Sequence, residues 1–500
     1  MKLGILCDAA EIECPATKRE LEITSVVTDS RRVEVGSLFV CIRGFHTDGH
    51  GYIDEALSRG AAAVLVEEGG VYDRSLGDVL LLSRDTRRAT AFLYHAWYGY
   101  PGRNLRLIGV TGTNGKTSVT HMLRRVLESV GYRCGLIGTV GCESMGRPLE
   151  VSNQDPLANM TTPDPGELYR ILKLMVEDGV EIVLMEVTSH ALMLEKLAPL
   201  WFEASVFTNL TPDHLDFHKT MEAYADAKAR LFEKSNLSLI NLDSAYADRM
   251  IRAAHGRVVT CSFSGRADYT AELQSNDGEG VRYVLTSGNL RQTIRCPLPG
   301  AFSAVNSMQA AITAMQLGVG AGRVKEAIAS LSGVRGRMER QRLGCGADFT
   351  VLIDYAHTPD ALENLVRSAA PLRSGDGRLI LLFGCGGDRD RGKRPMMGRI
   401  ASENAQLVIL TSDNSRSEDP EEIISQILVG MKNDTPYVVI PDRADAIAYA
   451  IKAARTGDVI LLAGKGHETY EITRGGRRQF DEREIVQRAF ADRRREKDDV

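Results

Sequence analysis

The chain has 500 residues, of which 43% are hydrophobic and 25% are charged, and its formal net charge is −5. This length suits about three domains of an ordinary globular protein. The net negative charge argues against a broad nucleic-acid-binding surface, so we expect no nucleic-acid partner. Because no apolar run is long enough for a signal peptide or a membrane span, we expect a cytoplasmic protein without membrane insertion.

The cysteines also favour a cytoplasmic location. There are nine of them, scattered along the chain and without a Cys-x-x-Cys pair. An odd, scattered set fits reduced thiols better than a disulfide framework or a zinc cluster.

The first hundred residues alternate short strands and helices. The apolar patterns predict strands at 37–42 and 61–66 and helices at 52–59 and 84–98. The polar segment 28–33 has the composition of a capped turn. Gly99-Tyr-Pro-Gly102 then breaks the pattern, which sets the first boundary and gives an N-terminal domain of residues 1–99.

A strand, a glycine loop and a helix follow, and this context is typical of phosphate binding. The apolar run 105–110 leads into Thr111-Gly-Thr-Asn-Gly115, and Lys116 and Thr117 open a helix with one apolar face. Glycines let backbone amides approach phosphates, and the helix N-terminus adds partial positive charge. The general P-loop pattern has a glycine at the position of Val110, whereas the first glycine of this loop is Gly112, so the loop here is shorter. The alternative is a plain turn with a chance Gly-Lys pair. The candidate ATP-binding residues are Gly112, Thr113, Asn114, Gly115, Lys116, Thr117 and Ser118.

Further polar groups follow the next apolar runs. The run 182–185 ends at Glu186, a usual position for a Mg²⁺ ligand beside a phosphate loop, although a solvent-facing carboxylate is an equal alternative. Residues 213–218 hold two His and two Asp, which indicate metal or phosphate chemistry or, alternatively, helix caps and surface groups. Lys228, in a predicted helix at 223–232, would by default be a solvated surface lysine.

The last third of the chain repeats one arrangement four times. Apolar runs end at the polar clusters 354–360, 384–395, 412–420 and 464–468. Ligands of open α/β sheets bind outside the carboxyl ends of the strands, so these clusters should line one site, whereas random surface loops would not repeat the coincidence. A glycine-rich segment, 332–337, sets the second boundary.

We therefore predict an α/β protein of three domains. They are a small N-terminal α/β domain, a central P-loop ATPase domain with a mainly parallel sheet (100–334) and a C-terminal Rossmann-like domain (335–500).

Five motifs in order make nearly the whole chain resemble the Mur ligases, the ATP-dependent amide-bond ligases of peptidoglycan precursor synthesis. The motifs are Thr111–Thr117, Glu186–His190, Asn209–His218, Asp354–Asp360 and Gly384–Pro395. The resemblance is strongest to the branch that extends UDP-N-acetylmuramoyl-L-alanyl-D-glutamate. It implies a monomeric ligase that uses ATP and Mg²⁺ and forms an acyl phosphate on the D-glutamate γ-carboxylate.

The resemblance also implies catalytic and ATP-binding roles. Lys116 would bind the β- and γ-phosphates, while Thr117 and Glu186 would hold Mg²⁺ and His214 a second Mg²⁺. Lys228 matches a lysine that family members carry as a CO₂-derived carbamate, which would be an anionic metal ligand. Lys116, Lys228 and His214 would be the catalytic residues. Further ATP contacts would come from Arg337 and Asp354, at the phosphates and ribose, and from Asn306 on the adenine side.

Five residues match positions that bind the UDP-linked substrate. They are Ser30 at the uridine, the pair Thr161 and Thr162, Thr188 and Lys196. Three positions depart from the family pattern. Ser303 replaces an Asn, Thr188 replaces a Ser and keeps the hydroxyl, and Lys196 replaces an Arg, which keeps the charge but loses the bidentate fork.

The loop Asp413-Asn-Ser-Arg416 bears on the amino acid that is added. Family members that add meso-diaminopimelate carry Asp-Asn-Pro-Arg, and this chain keeps the Arg but has Ser415 for Pro. An Arg can pair with the distal carboxylate of meso-diaminopimelate, which lysine lacks. The implied diaminopimelate-binding residues are Arg389, Asp413, Asn414, Ser415, Arg416, Gly464 and Glu468.

Other functions remain open from the sequence. The same ligase could add L-lysine. Folylpolyglutamate synthase shares the phosphate loop but typically has Gly-Lys-Gly, and cyanophycin synthetase needs a further ATP-binding domain. A nucleotide-dependent switch without ligase chemistry is a different class, although the guanine-specifying Asn-Lys-x-Asp is absent.

Overall fold

The computed structural model describes residues 1–44, 47–150, 161–277, 279–344, 347–432 and 434–498. It confirms the predicted α/β class, with one main β-sheet in each of three successive parts of the chain.

The N-terminal domain is built on a four-stranded parallel sheet in the order β1-β2-β3-β4. Its strands are β1 (Ser25–Val27), β2 (Ser37–Val40), β3 (Ala63–Glu67) and β4 (Leu80–Ser83), and its helices are α1 (Leu3–Ala9), α2 (Ile53–Ser58) and α3 (Thr86–Trp97). The predicted capped turn is a 3₁₀ helix, Ser30–Arg32, whose preceding residue Asp29 accepts a hydrogen bond from the Arg31 amide.

The central domain contains an eleven-stranded sheet in the order β15-β14-β13-β12-β11-β10-β5-β9-β6-β7-β8. The strands are β5 (Arg106–Thr111), β6 (Cys134–Gly138), β7 (Gly141–Ser144), β8 (Arg147–Pro148), β9 (Ile182–Glu186), β10 (Phe202–Phe207), β11 (Ser235–Asn241), β12 (Arg257–Ser262), β13 (Tyr269–Asp277), β14 (Gly280–Ser287) and β15 (Leu290–Cys296). The strands from β6 to β13 in this order pair in parallel, and both edges of the sheet are antiparallel. These antiparallel edges were not predicted from the sequence.

Eight α-helices belong to this domain in the described residues. They are α4 (Lys116–Ser129), α5 (Pro165–Glu177), α6 (Ser189–Met193), α7 (Leu215–His218), α8 (Met221–Ala229), α9 (Ala247–Ala253), α10 (Ala301–Gln316) and α11 (Ala321–Ala329). The apolar face predicted for α4 is buried: Val119, Leu123 and Val126 are all fully enclosed in the core. This packing fixes the N-terminus of α4 at the end of β5.

The C-terminal domain has a six-stranded sheet in the order β16-β17-β21-β18-β19-β20 and a separate hairpin, β22–β23. Its strands are β16 (Glu339–Arg340), β17 (Thr350–Asp354), β18 (Leu379–Phe383), β19 (Leu407–Leu410), β20 (Tyr437–Val439), β21 (Val459–Ala463), β22 (Tyr470–Thr473) and β23 (Gly476–Gln479). Its helices are α12 (Pro359–Ala369), α13 (Lys393–Asn404), α14 (Pro420–Leu428), α15 (Arg443–Ala453) and α16 (Glu482–Asp498). Because β17, β21, β18 and β19 are parallel neighbours, the four polar clusters that follow them share one edge, as predicted.

The fold also bears on the expectations of no membrane span and of reduced cysteines. No helix in the described ranges has the length and apolar character needed to cross a membrane. The eight cysteines that the structure describes are all free thiols, and seven of them are buried.

Candidate active site

Two glycines give the phosphate loop its shape. Gly112 and Gly115 have φ angles of +150° and +88°, which favour glycine. A Cβ at Gly112 would lie 1.8 Å from Thr208 Oγ1, and one at Gly115 would lie 2.5 Å from Asn306 Oδ1. The loop therefore needs both glycines, and the predicted adenine-side residue Asn306 lies against it.

Lys116, Thr117 and Glu186 meet beside this loop. Lys116 Nζ donates hydrogen bonds to the carbonyls of Gly112 (2.8 Å) and Thr113 (2.9 Å). Thr117 Oγ1 donates to Glu186 Oε2 at 3.0 Å. Glu186 is fully buried, which excludes the alternative of a solvent-facing carboxylate. It also accepts hydrogen bonds from the amide (3.0 Å) and hydroxyl (2.8 Å) of Thr139, a residue the sequence analysis missed although it directly follows β6.

These oxygens fit Mg²⁺, which is typically bound by one or two carboxylates together with substrate phosphates and water. Among the described residues, no group of three or more His, Cys, Asp or Glu side chains could hold a metal ion by itself. The Thr117 hydroxyl and the Glu186 carboxylate would therefore be the protein ligands, with phosphate oxygens completing the set.

Lys228 lies beside the phosphate loop, so the default expectation of a solvated surface lysine was wrong. Its side chain is only 1% exposed, and Nζ donates to the Gly112 carbonyl at 3.0 Å. Burial and the neighbouring Lys116 charge lower the pKa of Lys228 well below its ordinary value. The sequence could not show this, because α8 has no strong apolar face from which to orient Lys228.

His214, unlike Lys228, is partly exposed to solvent. It has a left-handed backbone (φ +54°), and its side chain is 46% exposed. Its Nε2 is 3.4 Å from Asp213 Oδ2, and its ring centroid is 4.9 Å from that of His190. The His214 side chain makes no cap hydrogen bond to α7, so it does not serve as a helix cap there.

The C-terminal domain reaches the phosphate loop at two points. Arg337 Nη2 donates to Thr117 Oγ1 at 3.0 Å, and Asn114 Nδ2 donates to Asp360 Oδ2 at 2.8 Å. Asp354 is buried behind them and accepts hydrogen bonds from two backbone amides, which shapes the chain around Arg337. Burial raises the pKa of Asp354. Asp360 belongs to one of the five family motifs, but no role was predicted for it from the sequence.

Three of the predicted substrate threonines lie together behind Glu186. Thr161 Oγ1 is 3.0 Å from Thr139 Oγ1. Thr162 Oγ1 donates to the Glu186 carbonyl at 2.8 Å and is 3.3 Å from Thr188 Oγ1. Hydrogen bonds therefore link these hydroxyls to Glu186, directly for Thr162 and through the Thr139 hydroxyl for Thr161.

The other two predicted substrate residues bond elsewhere. Lys196 is 5% exposed and pairs with Asp164 at 2.7 Å. Ser30, in the N-terminal domain, donates to Glu55 Oε2 at 2.8 Å.

At the C-terminal sheet edge, Asp413, Asn414, Gly464 and Glu468 form one cluster. Asn414 Nδ2 donates to Glu468 Oε2 at 2.8 Å. Gly464 has a φ angle of +115°, and a Cβ there would lie 2.5 Å from Asp413 Oδ2. The two carboxylates are both buried. The neighbouring Lys465 completes the cluster and was not assigned a role from the sequence.

Arg416 and Arg389 bring two positive charges close to this cluster. Arg416 Nη1 donates to the carbonyls of Gly387 (2.8 Å) and Asn414 (3.3 Å), and Arg389 Nη1 donates to the Asp388 carbonyl at 3.1 Å. Burial and the charge of Arg416 lower the pKa of Arg389. Within the described ranges, neither guanidinium forms an ion pair with a carboxylate. Such a pair of arginines can receive an anionic group of a ligand.

A buried ion pair fixes the two loops that carry these arginines. Arg394, fully buried in α13, donates to both oxygens of Glu418 at 2.9 and 3.0 Å. Glu418 also accepts a hydrogen bond from the Asp388 amide, and the Ser415 carbonyl packs against Gly387. The hydrogen bond from Arg394 lowers the pKa of Glu418 to about 2. This pair was not predicted, because its two members are 24 positions apart in the chain and meet only in the folded structure.

Comparisons with known proteins agree with this arrangement. Sequence models described as the Mur ligase family catalytic domain, the Mur ligase middle domain and the Mur ligase glutamate ligase domain match residues 22–79, 110–314 and 336–466. The chain is 40% identical over 493 residues to a UDP-N-acetylmuramoyl-L-alanyl-D-glutamate–2,6-diaminopimelate ligase of Syntrophomonas wolfei, covering 97% of this chain and 98% of that protein. It is 42% identical over 478 residues to the enzyme of the same name from Caldanaerobacter subterraneus, covering 94% and 95%.

Solved structures show the same relationship. A structure of a UDP-N-acetylmuramoyl-L-alanyl-D-glutamate–2,6-diaminopimelate ligase is similar with a TM-score of 0.67 at 33% identity, covering 99% of this chain and 100% of that one. A MurF ligase of Thermotoga maritima, in complex with ADP, shares the fold with a TM-score of 0.58 at 18% identity, covering 95% and 98%. The chain belongs to the Mur ligase family, in its branch of UDP-N-acetylmuramoyl-L-alanyl-D-glutamate–2,6-diaminopimelate ligases.

Proposed function

We propose that this chain is an ATP-dependent ligase that joins meso-diaminopimelate to the D-glutamate γ-carboxylate of UDP-N-acetylmuramoyl-L-alanyl-D-glutamate. The observation that carries the proposal is the pairing of two opposite charge clusters at one sheet edge. Arg389 and Arg416 can bind a carboxylate, and the buried carboxylates of Asp413 and Glu468 can bind an ammonium group. An amino acid that carries a second carboxylate and a second amine at its far end suits both clusters.

The reaction that we propose has two steps. The γ-carboxylate oxygen attacks the γ-phosphorus of ATP, which releases ADP and leaves an acyl phosphate. The amine of the amino acid then attacks the acyl carbon, releases inorganic phosphate and gives up a proton to form the amide. Lys116 and the amides at the start of α4 would stabilise the negative charge that moves between phosphate oxygens.

Thr117 and Glu186 would hold Mg²⁺, which when bound neutralises phosphate charge and orients the transferred group. Arg337, from the C-terminal domain, donates a hydrogen bond to the Thr117 hydroxyl oxygen. Closure of the C-terminal domain onto the central domain and binding of the phosphates would therefore occur together. Such closure would also keep water away from the acyl phosphate.

We further propose that Lys228 carries a CO₂-derived carbamate in the working enzyme. Burial lowers the pKa of Lys228 and so favours its uncharged amine, and only that form adds to CO₂. The addition forms an N–C bond between the uncharged amine and CO₂ and releases one proton, so the neutral amine becomes an anion beside Lys116. Together with His214, this anion would hold a second Mg²⁺.

The remaining roles follow the division of the chain. Residues 1–99 would bind the uridine part through Ser30, and the central residues Thr161, Thr162, Thr188 and Lys196 would bind the rest of the UDP-linked substrate. Residues 100–334 would bind ATP, with Asn306 on the adenine side, and residues 335–500 the amino acid. We propose a monomer that works in the cytoplasm, where ATP and UDP-linked precursors are available.

The decisive experiment measures phosphate release with ATP, Mg²⁺ and UDP-N-acetylmuramoyl-L-alanyl-D-glutamate, comparing meso-diaminopimelate with L-lysine. Stimulation by meso-diaminopimelate is expected. A preference for lysine would keep the ligase but overturn the assignment of the arginine pair. Release with neither would favour a folylpolyglutamate-synthase-like ligase or a nucleotide switch, and a folate substrate would separate those two.

A further inference from the structure

The buried lysine Lys465 lies at the centre of the cluster formed by Asp413, Asn414 and Glu468. Its side chain is fully buried, and Nζ donates to Asn414 Oδ1 at 3.1 Å and to the Tyr470 carbonyl at 2.9 Å. The same atom is 3.9 Å from Asp413 Oδ1 and 3.7 Å from Glu468 Oε2. One ammonium group thus faces two carboxylates and an amide oxygen.

The position of Lys465 determines which way the Asn414 amide faces. A lysine can only donate, so it can bond only the oxygen of that amide. The same oxygen accepts a second hydrogen bond from the Ile472 amide at 2.9 Å. The amide nitrogen must therefore point to Glu468, as observed. Without Lys465, one of the two donors that fix this orientation is lost.

Lys465 also balances the charge of the two carboxylates. Burial and the charge of Asp413 raise the pKa of Glu468, and Lys465 opposes this shift. Burial likewise disfavours the ionised Asp413, but Lys465 and Arg443 hold the pKa of Asp413 below its usual value. Four further charged or titratable groups of the described residues face this pair, namely Arg416, Tyr355, Tyr470 and the buried thiol of Cys385.

Arg443 does not duplicate the role of Lys465. Its fully buried guanidinium pairs with Glu482 at 2.8 Å and donates to the carbonyls of Ser412 and Ala463. Lys465, in contrast, bonds the side chain of Asn414 directly.

We propose that Lys465 is a positioning residue for the incoming amino acid, because it holds the Asn414 amide and the Asp413 and Glu468 carboxylates in the arrangement that accepts the distal ammonium group. This inference rests on the proposed function. Lys465 acts through these three side chains, and its ammonium group is already occupied by protein acceptors.

The test compares Lys465→Met with Arg378→Met as a matched control. Arg378 also pairs with a buried carboxylate, that of Asp458 at 2.7 Å, but it precedes β18, at the opposite end of the strand from the cluster. We expect Lys465→Met to raise the KM for meso-diaminopimelate on the order of tenfold or more and to leave the KM for ATP within about threefold. Arg378→Met should change neither constant.

A pH profile separates positioning from general destabilisation. Loss of Lys465 should raise the pKa of Glu468 further, so the KM for meso-diaminopimelate of Lys465→Met should level off at a higher pH than that of the wild type. Arg378→Met should keep the wild-type profile. Lys465→Gln provides a second variant that keeps a hydrogen-bond donor without the charge, and it should show the same pH displacement.

The outcomes distinguish the two proposals. If the wild type shows no phosphate release stimulated by a diamino acid, the proposed function fails. If the wild type is active but the KM and its pH profile are unchanged in Lys465→Met, the role of Lys465 is refuted. If both Lys465 variants fail to fold while Arg378→Met folds, Lys465 is a structural residue and the inference is also refuted.

Discussion

The side chain of Asn114 in the phosphate loop donates a 2.8 Å hydrogen bond to Asp360 at the start of α12. The two residues are 246 positions apart in the chain and belong to different domains. The backbone of Asn114 is held separately, because its amide donates to Asn209 and its carbonyl accepts from Thr208. The Asn114 side chain therefore connects the phosphate loop to the C-terminal domain, while the backbone hydrogen bonds of Asn114 hold the loop in place.

We predict that Asp360→Ala lowers kcat/KM for ATP-dependent ligation about fivefold, which corresponds to the loss of about 1 kcal/mol for one hydrogen bond. The phosphate loop should remain intact, so binding of ATP alone, measured by calorimetry, should change little. A double-mutant cycle with Asn114→Ala should show coupling, because each substitution removes the same contact. Glu363→Ala is the control, because Glu363 lies on the same helix but pairs with Arg367 rather than with the phosphate loop. Additive effects of Asn114→Ala and Asp360→Ala would contradict the prediction.

Replacing Lys228 with Ala should reduce ligation by roughly a hundredfold or more, because the anionic carbamate would be lost from the metal site. Lys234→Ala is a suitable control, since Lys234 is partly buried and, like Lys228, donates to a backbone carbonyl, but its acceptor is Ala198 and not the phosphate loop. In the wild type, CO₂-depleted buffer should lower the activity, and bicarbonate should restore it. Near-normal activity of Lys228→Ala would remove this lysine from the site.

Arg416→Ala should raise the KM for meso-diaminopimelate roughly tenfold to a hundredfold, the size expected for a lost charge-assisted hydrogen bond. The KM for ATP should stay nearly unchanged, because the phosphate loop lies on a different sheet. Arg474→Ala is the matched control: Arg474 donates to the Ser417 carbonyl in the same loop but is exposed. Equal effects on the two KM values would mean that the loop has only a structural role.

The Arg394–Glu418 pair predicts a pH dependence of stability. Since the pKa of Glu418 is lowered to about 2 in the folded protein, against about 4.5 for the free side chain, the ionised form stabilises the fold. This stabilisation, of about 3 kcal/mol, should be complete above pH 4.5 and should be lost as the pH falls toward 2.

Glu418→Gln should therefore be less stable than the wild type at pH 7, and the difference should shrink as the pH is lowered below about 4.5. Hydrogen exchange in β18 and β19 is the appropriate measurement, because a chain with three domains need not unfold in one step. A difference in protection that stays constant between pH 7 and pH 3.5 would show that the ion pair is not responsible.

Local patterns were sufficient to predict much of the fold. The apolar stripe of α4 and the buried runs that became β5, β9, β18 and β21 are short-range signals, because helix and strand periodicities can be read from neighbouring residues. The position of Glu186 at the end of β9 followed from the same signals. The antiparallel strands β13 to β15 were not predicted, since the burial of β13 shows no clear alternation and the pairing of all three strands depends on neighbouring strands.

The sequence by itself determined the α/β class, the phosphate loop with Lys116 and Thr117, and the polar clusters at the carboxyl ends of the strands. These features depend on residue type and on spacing within a few positions. Only the tertiary structure decided that Lys228 is buried beside Gly112, that Arg394 pairs with Glu418, and that Lys465 lies between two carboxylates. Burial and the approach of distant side chains change the protonation and orientation of these groups, and both depend on which elements pack together.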